Sequence, residues 1–120
     1  MGITVYHYPR CGTCRKALKW LNDKDIDMNL IDIVENPPSR GELAELIKKS
    51  GLEVNKFFNT SGQVYKEMNL KEKLKDMTDE EKIDLLASNG KLIKRPIVTD
   101  GKHVTVGFNE EQFAETWGIP

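Results

Sequence analysis

Cys11 and Cys14 are the only cysteines of the chain, and they stand three residues apart in Cys11-Gly12-Thr13-Cys14. The strand-like run Ile3-Thr4-Val5-Tyr6-His7-Tyr8 precedes them and breaks at Pro9, and an amphipathic helical pattern follows. A C-x-x-C pair at such a junction lets the helix N-terminus stabilise a thiolate on the first sulfur and puts the second within reach of a disulfide. A free thiol with a pKa near 8.5 is about 3% ionised at pH 7, and half-ionisation takes roughly 2 kcal/mol of differential stabilisation. A helix N-terminus supplies about 0.3 to 1 kcal/mol when exposed and up to ~2 kcal/mol when partly buried. Arg10, Arg15 and, if the strands pair as expected below, Arg95 are expected to add positive charge nearby. Cys11 is therefore expected to attack and Cys14 to resolve, leaving a Cys11–Cys14 disulfide for another thiol system to reduce. Such a cycle needs neither metal nor nucleotide.

Other readings of these residues stand beside that one. Inert core thiols have no reason to fall three apart at a helix start. His7, Cys11 and Cys14 could supply three zinc ligands, but no second C-x-x-C or His pair completes a tetrahedron, so no metal is expected. His7 reads as a half-buried strand residue rather than a general base, since a low-pKa thiol needs none, and His103 reads as solvated beside a turn. Trp20, Trp117, Phe57 and Phe58 read as packing residues. Lys91, Lys94 and Arg95 make a small basic cluster of a commonplace kind, and Arg95-Pro96 on its own suggests an edge strand.

The elements that must position the sulfurs follow from periodicity. Strands are predicted near Ile3 to Tyr8, Asn29 to Val34, Pro96 to Thr99 and His103 to Gly107. The first helix is predicted from about Thr13 to Lys24, with Cys14, Ala17, Leu18 and Leu21 on its buried stripe and Arg15, Lys16 and Lys19 facing water. Cys11, ahead of the first turn, is then the exposed sulfur. Ser39 with Glu42 and Thr78 with Glu81 form capping boxes for two further helices, ending at Gly51 and near Asn89-Gly90. Short helical turns are expected over Val54 to Leu74. Asn109 with Gln112 repeats the capping device for a last helix from Glu110 to about Trp117, with Phe108 stapled onto Phe113. Asp100-Gly101 predicts a two-residue type I′ hairpin turn.

The resulting order is β-α-β, several helices, then β-β-α. Two strands joined through a helix pair in parallel, so the fold expected is α/β with a four-stranded mixed sheet. Residues 1–120 are read as one domain with a helical insertion at about 38–90. That length buries about 65% of the unfolded chain's surface, enough for a core without a disulfide staple. Hydrophobic residues make up 38% and charged residues 31%, as in ordinary globular proteins. Lys and Arg total 18 against 19 acids and are interleaved, which argues against direct nucleic-acid binding. No run approaches the ~18 apolar residues of a membrane span, and no basic-then-apolar leader opens the chain. A cytoplasmic location is expected, where a reversible disulfide is more plausible than a lasting one.

Tyr8-Pro9-Arg10-Cys11-Gly12-Thr13-Cys14-Arg15-Lys16, Glu35-Asn36-Pro37-Pro38-Ser39, Lys94-Arg95-Pro96-Ile97 and Val106-Gly107-Phe108-Asn109-Glu110 together resemble the ArsC family. This thioredoxin-like group contains glutaredoxin-dependent arsenate reductases and Spx regulators that bind bacterial RNA polymerase. The resemblance implies a thioredoxin-like fold, Cys11 as nucleophile, Gly12 and Thr13 as its supporting turn, a substrate-facing Arg95 and a cis-Pro96. It also implies an external reductant such as glutaredoxin, thioredoxin or a small thiol. Arsenate reductases hold their oxyanion with three arginines, yet the stretches for two of them read Phe57-Phe58-Asn59-Thr60 and Thr105-Val106-Gly107. Cys14 stands where those reductases typically carry Ser, which points to an intramolecular disulfide. The two-cysteine site is similar to the Spx/MgsR-type branch, and Gly51 lies where Spx proteins carry a glycine tied to contact with the polymerase alpha subunit. The chain stops at Gly118-Ile119-Pro120, without the tail associated with Spx. An oxidoreductase of unidentified substrate is expected first, a redox-sensing regulator second, and arsenate reduction last.

Overall fold

A computed structural model describes residues 2–118. The chain forms two compact units, one built from the residues up to Asp32 together with those from Arg95 onward, the other from Ile33–Lys94.

The first unit holds the sheet. Strands β1 (Ile3–His7), β2 (Met28–Asp32), β3 (Ile97–Thr99) and β4 (Val104–Val106) lie in the order β2-β1-β3-β4. β1 pairs parallel with β2, as their connection through helix α1 (Gly12–Asp23) requires, and antiparallel with β3; β3 pairs antiparallel with β4. The mixed four-stranded sheet expected from the sequence is therefore the one observed. One face carries Ile3 and Val5 of β1 and Val98 of β3, buried against Ala17 and Leu21 of α1 and against Phe113 and Trp117. Phe113 belongs to the last helix, α6 (Glu110–Thr116).

That helix is anchored by local chemistry. The Asn109 side chain accepts the Gln112 N–H at 3.0 Å, and the Phe108 ring meets Phe113 edge-on with centroids 4.8 Å apart. This is the hydrophobic staple anticipated from the sequence. Trp20 of α1 packs edge-on against the same Phe113 ring at 5.5 Å. The buried Thr105 hydroxyl accepts the Trp117 Nε1–H at 3.0 Å, so burial leaves neither group unsatisfied.

The β3–β4 connection departs from the expected type I′ turn on Asp100-Gly101. Thr99 pairs with Val104, and the Asp100 N–H donates to the His103 carbonyl at 3.4 Å, so the ladder runs one residue further than anticipated. The turn residues are then Gly101 and Lys102. Gly101 alone has a positive φ, 97°, the pattern of a II′ turn with glycine first, whereas I′ needs positive φ at both central residues. Asp100 is drawn into the ladder by its own carboxylate, which accepts the N–H groups of Lys102 at 2.8 Å and His103 at 2.7 Å. His103 is exposed, as expected, and its Nδ1 lies 3.1 Å from the Asp100 carboxylate.

The second unit is helical. Helices α2 (Arg40–Ser50) and α5 (Asp79–Ser88) both start at complete capping boxes, Ser39 with Glu42 and Thr78 with Glu81. Between them run α3 (Gln63–Glu67), α4 (Leu70–Lys73) and 3-10 turns at Val54–Phe57 and Leu74–Asp76. Arg40 of α2 pairs with Asp84 and, at 4.0 Å, with Glu80 of α5. Leu43, Phe57, Leu70, Leu86, Leu92 and Ile93 are fully buried within this unit. Gly90 admits no side chain, because a Cβ there would lie 1.9 Å from the Ile33 carbonyl oxygen. Among the described residues no helix is long and apolar enough to cross a membrane.

Candidate redox site

Cys11 is the N-cap of α1. Its backbone is extended (φ −91°, ψ 118°), and its sulfur accepts the Cys14 N–H at 3.4 Å, the bond that Ser or Asp oxygens usually accept at this position. The Cys11 carbonyl accepts the Arg15 N–H at 3.1 Å, and the Cys11 N–H donates to the Tyr8 carbonyl at 2.9 Å. The sulfur is thus fixed at the positive end of a twelve-residue helix, where negative charge is favoured. Cys14, one turn in, is completely buried on the stripe that includes Ala17 and Leu21. Both are free thiols.

The two sulfurs are driven apart in acidity. Partial burial raises the Cys11 thiol, but the backbone N–H of Cys14, the Cys14 thiol and the Arg95 guanidinium all favour its thiolate, and the balance falls below the ordinary thiol value. Burial pushes Cys14 up to about 12; a hydrogen bond from the Tyr8 backbone opposes the rise, and the neighbouring Cys11 adds to it. Cys11 is therefore the more readily ionised of the two thiols, and Cys14 the one held protonated.

Arg95 stands just before β3, and the β1–β3 pairing brings it to the C-terminal end of β1, where the α1 N-terminus begins. Its guanidinium carbon lies 5.0 Å from the Tyr8 ring centroid. Arg10 and Arg15, expected to share in the local charge, are both exposed, and Arg15 Nε donates to the Pro9 carbonyl at 3.1 Å instead. Arg95 is the guanidinium that acts on Cys11. The Arg95–Pro96 peptide bond is cis, Pro96 is buried, and its carbonyl accepts the Gly107 N–H at 2.9 Å. Gly12 and Thr13 form the exposed first turn of α1, and a Cβ on Gly12 would meet nothing within 4 Å.

Cys11, Cys14 and Arg95 are thus brought together, whereas Gly51 belongs to the other unit. It is the αL C-cap of α2 (φ 71°), and a Cβ there too would meet open space. His7 is half-buried, with Nδ1 buried and making no hydrogen bond among the described residues. Among the described residues no group of three or more His, Cys, Asp and Glu is placed to hold a metal ion. Tyr8 carries more of the site than its sequence position suggests. Its backbone meets both cysteines and its ring lies under Arg95, a juxtaposition made by strand pairing and invisible in local spacing.

A sequence profile of the ArsC family matches residues 6–116. The uncharacterized protein YusI of Bacillus subtilis (strain 168) is 59% identical over 98% of this chain and 99% of its own length. The regulatory protein MgsR of the same organism is 33% identical over 89% of this chain and 83% of its own. Among solved structures, a putative ArsC family related protein from Bacteroides fragilis is 50% identical and superposes with a TM-score of 0.93, covering 96% of this chain and 97% of that one. The fold is thus the thioredoxin-like one, and the chain belongs to the ArsC family.

Proposed function

We propose that this protein is a thiol–disulfide oxidoreductase that works through Cys11 and Cys14. The observation that carries this is their asymmetry: one half-exposed sulfur capping a helix and facing Arg95, and one buried sulfur a turn away with its acidity suppressed. The Cys11 thiolate attacks a substrate disulfide, forming a mixed disulfide on Cys11 and expelling one half of the substrate as a thiolate. That event removes the Cys11 charge that added to the effect of burial in holding the Cys14 proton. Cys14 then loses its proton to solvent or to the departing thiolate and attacks the Cys11 sulfur, expelling the second half. Two electrons pass from the protein dithiol to the substrate. An external reductant such as glutaredoxin, thioredoxin or a small thiol returns the Cys11–Cys14 disulfide to the dithiol.

A Cys14→Ser variant tests this. Without the resolving sulfur, a mixed disulfide on Cys11 persists in lysate and can be identified by mass. Recovery of no adduct from oxidised lysate, with wild-type Cys11 titrating like a free thiol, would overturn the proposal.

Similarity to the regulatory protein MgsR favours a second reading, a redox-sensing regulator that grips the RNA polymerase alpha subunit through the surface around Gly51. Its open αL position is a place where a partner's backbone can approach closely. Capture of the alpha subunit that depends on oxidation state and is lost in Gly51→Arg supports it; no retention in either state dismisses it. Arsenate reduction ranks below both, because two of the three arginines implied by the resemblance are missing. Phe57 and Phe58 are buried, and Thr105 is committed to Trp117. A multiply charged oxyanion set against one arginine would leave much of its charge uncompensated.

A further inference from the structure

We infer that Tyr8 is a positioning residue for the redox site, its ring acting as the platform that holds the Arg95 guanidinium at the Cys11 sulfur. The inference rests on the proposed role of Cys11 as an ionised nucleophile.

Three observations converge on Tyr8. Its ring centroid lies 5.0 Å from the Arg95 guanidinium carbon, within the range in which the negative face of an aromatic ring attracts a cation. Its carbonyl accepts the Cys11 N–H at 2.9 Å, so ring and sulfur are tied through one short backbone segment. Its position also leaves it little freedom. It follows the last paired residue of β1 and precedes Pro9, which restricts its backbone to extended conformations. The ring is therefore set by the sheet on one side and by the proline on the other.

Arg95 needs such a platform. An arginine side chain has several freely rotating bonds, and its ionic attraction to one thiolate near solvent is weakened by water. Docking the planar group on an aromatic face restricts it before any thiolate forms, so the charge is in place when Cys11 ionises. Arg10 and Arg15 flank Cys11 in sequence, but both are exposed, and Arg15 Nε donates to the Pro9 carbonyl. The arginine that acts on the sulfur is the one with a ring beneath it.

The readout is the pH dependence of Cys11 alkylation by iodoacetamide in the Cys14→Ser background, which reports the thiol's ionisation rather than overall folding. Tyr8→Leu is expected to shift the titration upward by about half a unit to one unit, a roughly 3- to 10-fold loss of rate at pH values below the transition. Tyr8→Phe keeps the ring and should titrate like the parent. In an Arg95→Ala background, Tyr8→Leu should add no further shift, because the ring then has no cation to hold. An unchanged titration in Tyr8→Leu, or an equal additional shift in the absence of Arg95, overturns the platform. A Cys11 that already titrates as an ordinary thiol in the parent instead overturns the proposed nucleophile itself, so the two failures are distinguishable. Circular dichroism of each variant checks that the fold is retained; if Tyr8→Leu unfolds, Tyr8→Ile and Tyr8→Met carry the same comparison.

Discussion

The Cys11 sulfur accepts the backbone N–H of Cys14 at 3.4 Å, so the residue proposed to attack is also the cap of the helix that carries its resolving partner. One short stretch of chain thus sets both acidities. The same geometry that places Cys11 in the field of the helix N-terminus turns Cys14 inward to the stripe that includes Ala17 and Leu21.

The first consequence is kinetic selectivity between the thiols. At neutral pH, limiting iodoacetamide should label Cys11 at least tenfold faster than Cys14, as read by peptide mass mapping. Cys11→Ser should abolish the fast phase and leave only the Cys14 thiol, whose burial keeps it sluggish until the solution is alkaline.

A second prediction separates the arginines. Arg95→Ala should raise the pKa of Cys11 and slow its alkylation below neutrality, whereas Arg15→Ala, which removes only a hydrogen bond to the Pro9 carbonyl, should leave the titration in place. Arg95→Lys should restore part of the effect, since the point charge is kept and the planar contact with Tyr8 is lost. The pH–rate profile of Cys11 modification decides each case.

Stability should respond to alkali in a direction fixed by Cys14. Its folded pKa lies above the unfolded one, so its contribution is complete below the ordinary thiol pKa and is lost as pH rises from there towards about 12. Cys11, with its folded pKa depressed, works the other way and adds stability as pH climbs through its own transition to the unfolded value. Urea midpoints measured across that range should fall less steeply in Cys14→Ser than in the parent. In acid, Asp100 supplies a separate effect. Slight burial works against its ionisation, but the His103 and Lys102 N–H groups and the His103 ring hold its pKa down to about 2. Its contribution is present above the ordinary carboxylate range and disappears as pH falls towards about 2, and Asp100→Ala should erase it.

Two glycines give a contrast in folding. Gly90→Ala drives a methyl into the Ile33 carbonyl at 1.9 Å, so backbone must move, and loss of several kcal/mol is expected. Gly51→Arg meets open space, and its expected cost is about 1 to 2 kcal/mol for placing a side-chain residue at φ 71°. Thermal unfolding should show Gly51→Arg folded and Gly90→Ala largely not, which makes the former a clean probe of partner capture.

The sequence makes the local features legible. N-caps at Ser39, Thr78 and Asn109 appear where the residue types require them, because a capping bond spans three residues and needs no distant partner. The C-x-x-C site is legible for the same reason, since Cys11 and Cys14 interact across a single turn. What escapes local reading depends on pairing between distant strands. The hairpin turn moves from Asp100-Gly101 to Gly101-Lys102 because strand pairing continues to Asp100 and His103. Local spacing points to Arg10 and Arg15 as supporting cations, and Arg95 enters only through the expected fold and the family resemblance; the β1–β3 pairing brings Arg95 to the Cys11 end of β1, where the Tyr8 ring lies beneath it.

The sheet order has a bearing on how the molecule is made. β1 sits between β2, which follows it after one helix, and β3, which is synthesised only after the whole of Ile33–Lys94. A nascent chain emerging from the ribosome can therefore form the β1-α1-β2 segment while the central strand still lacks one neighbour. During that interval the helix cap at Cys11 is available, but Arg95 has not yet been translated. The full electrostatic support of Cys11 is assembled last, once the closing segment docks, so a ribosome-bound fragment ending before Arg95 should carry a less acidic Cys11 thiol than the finished protein.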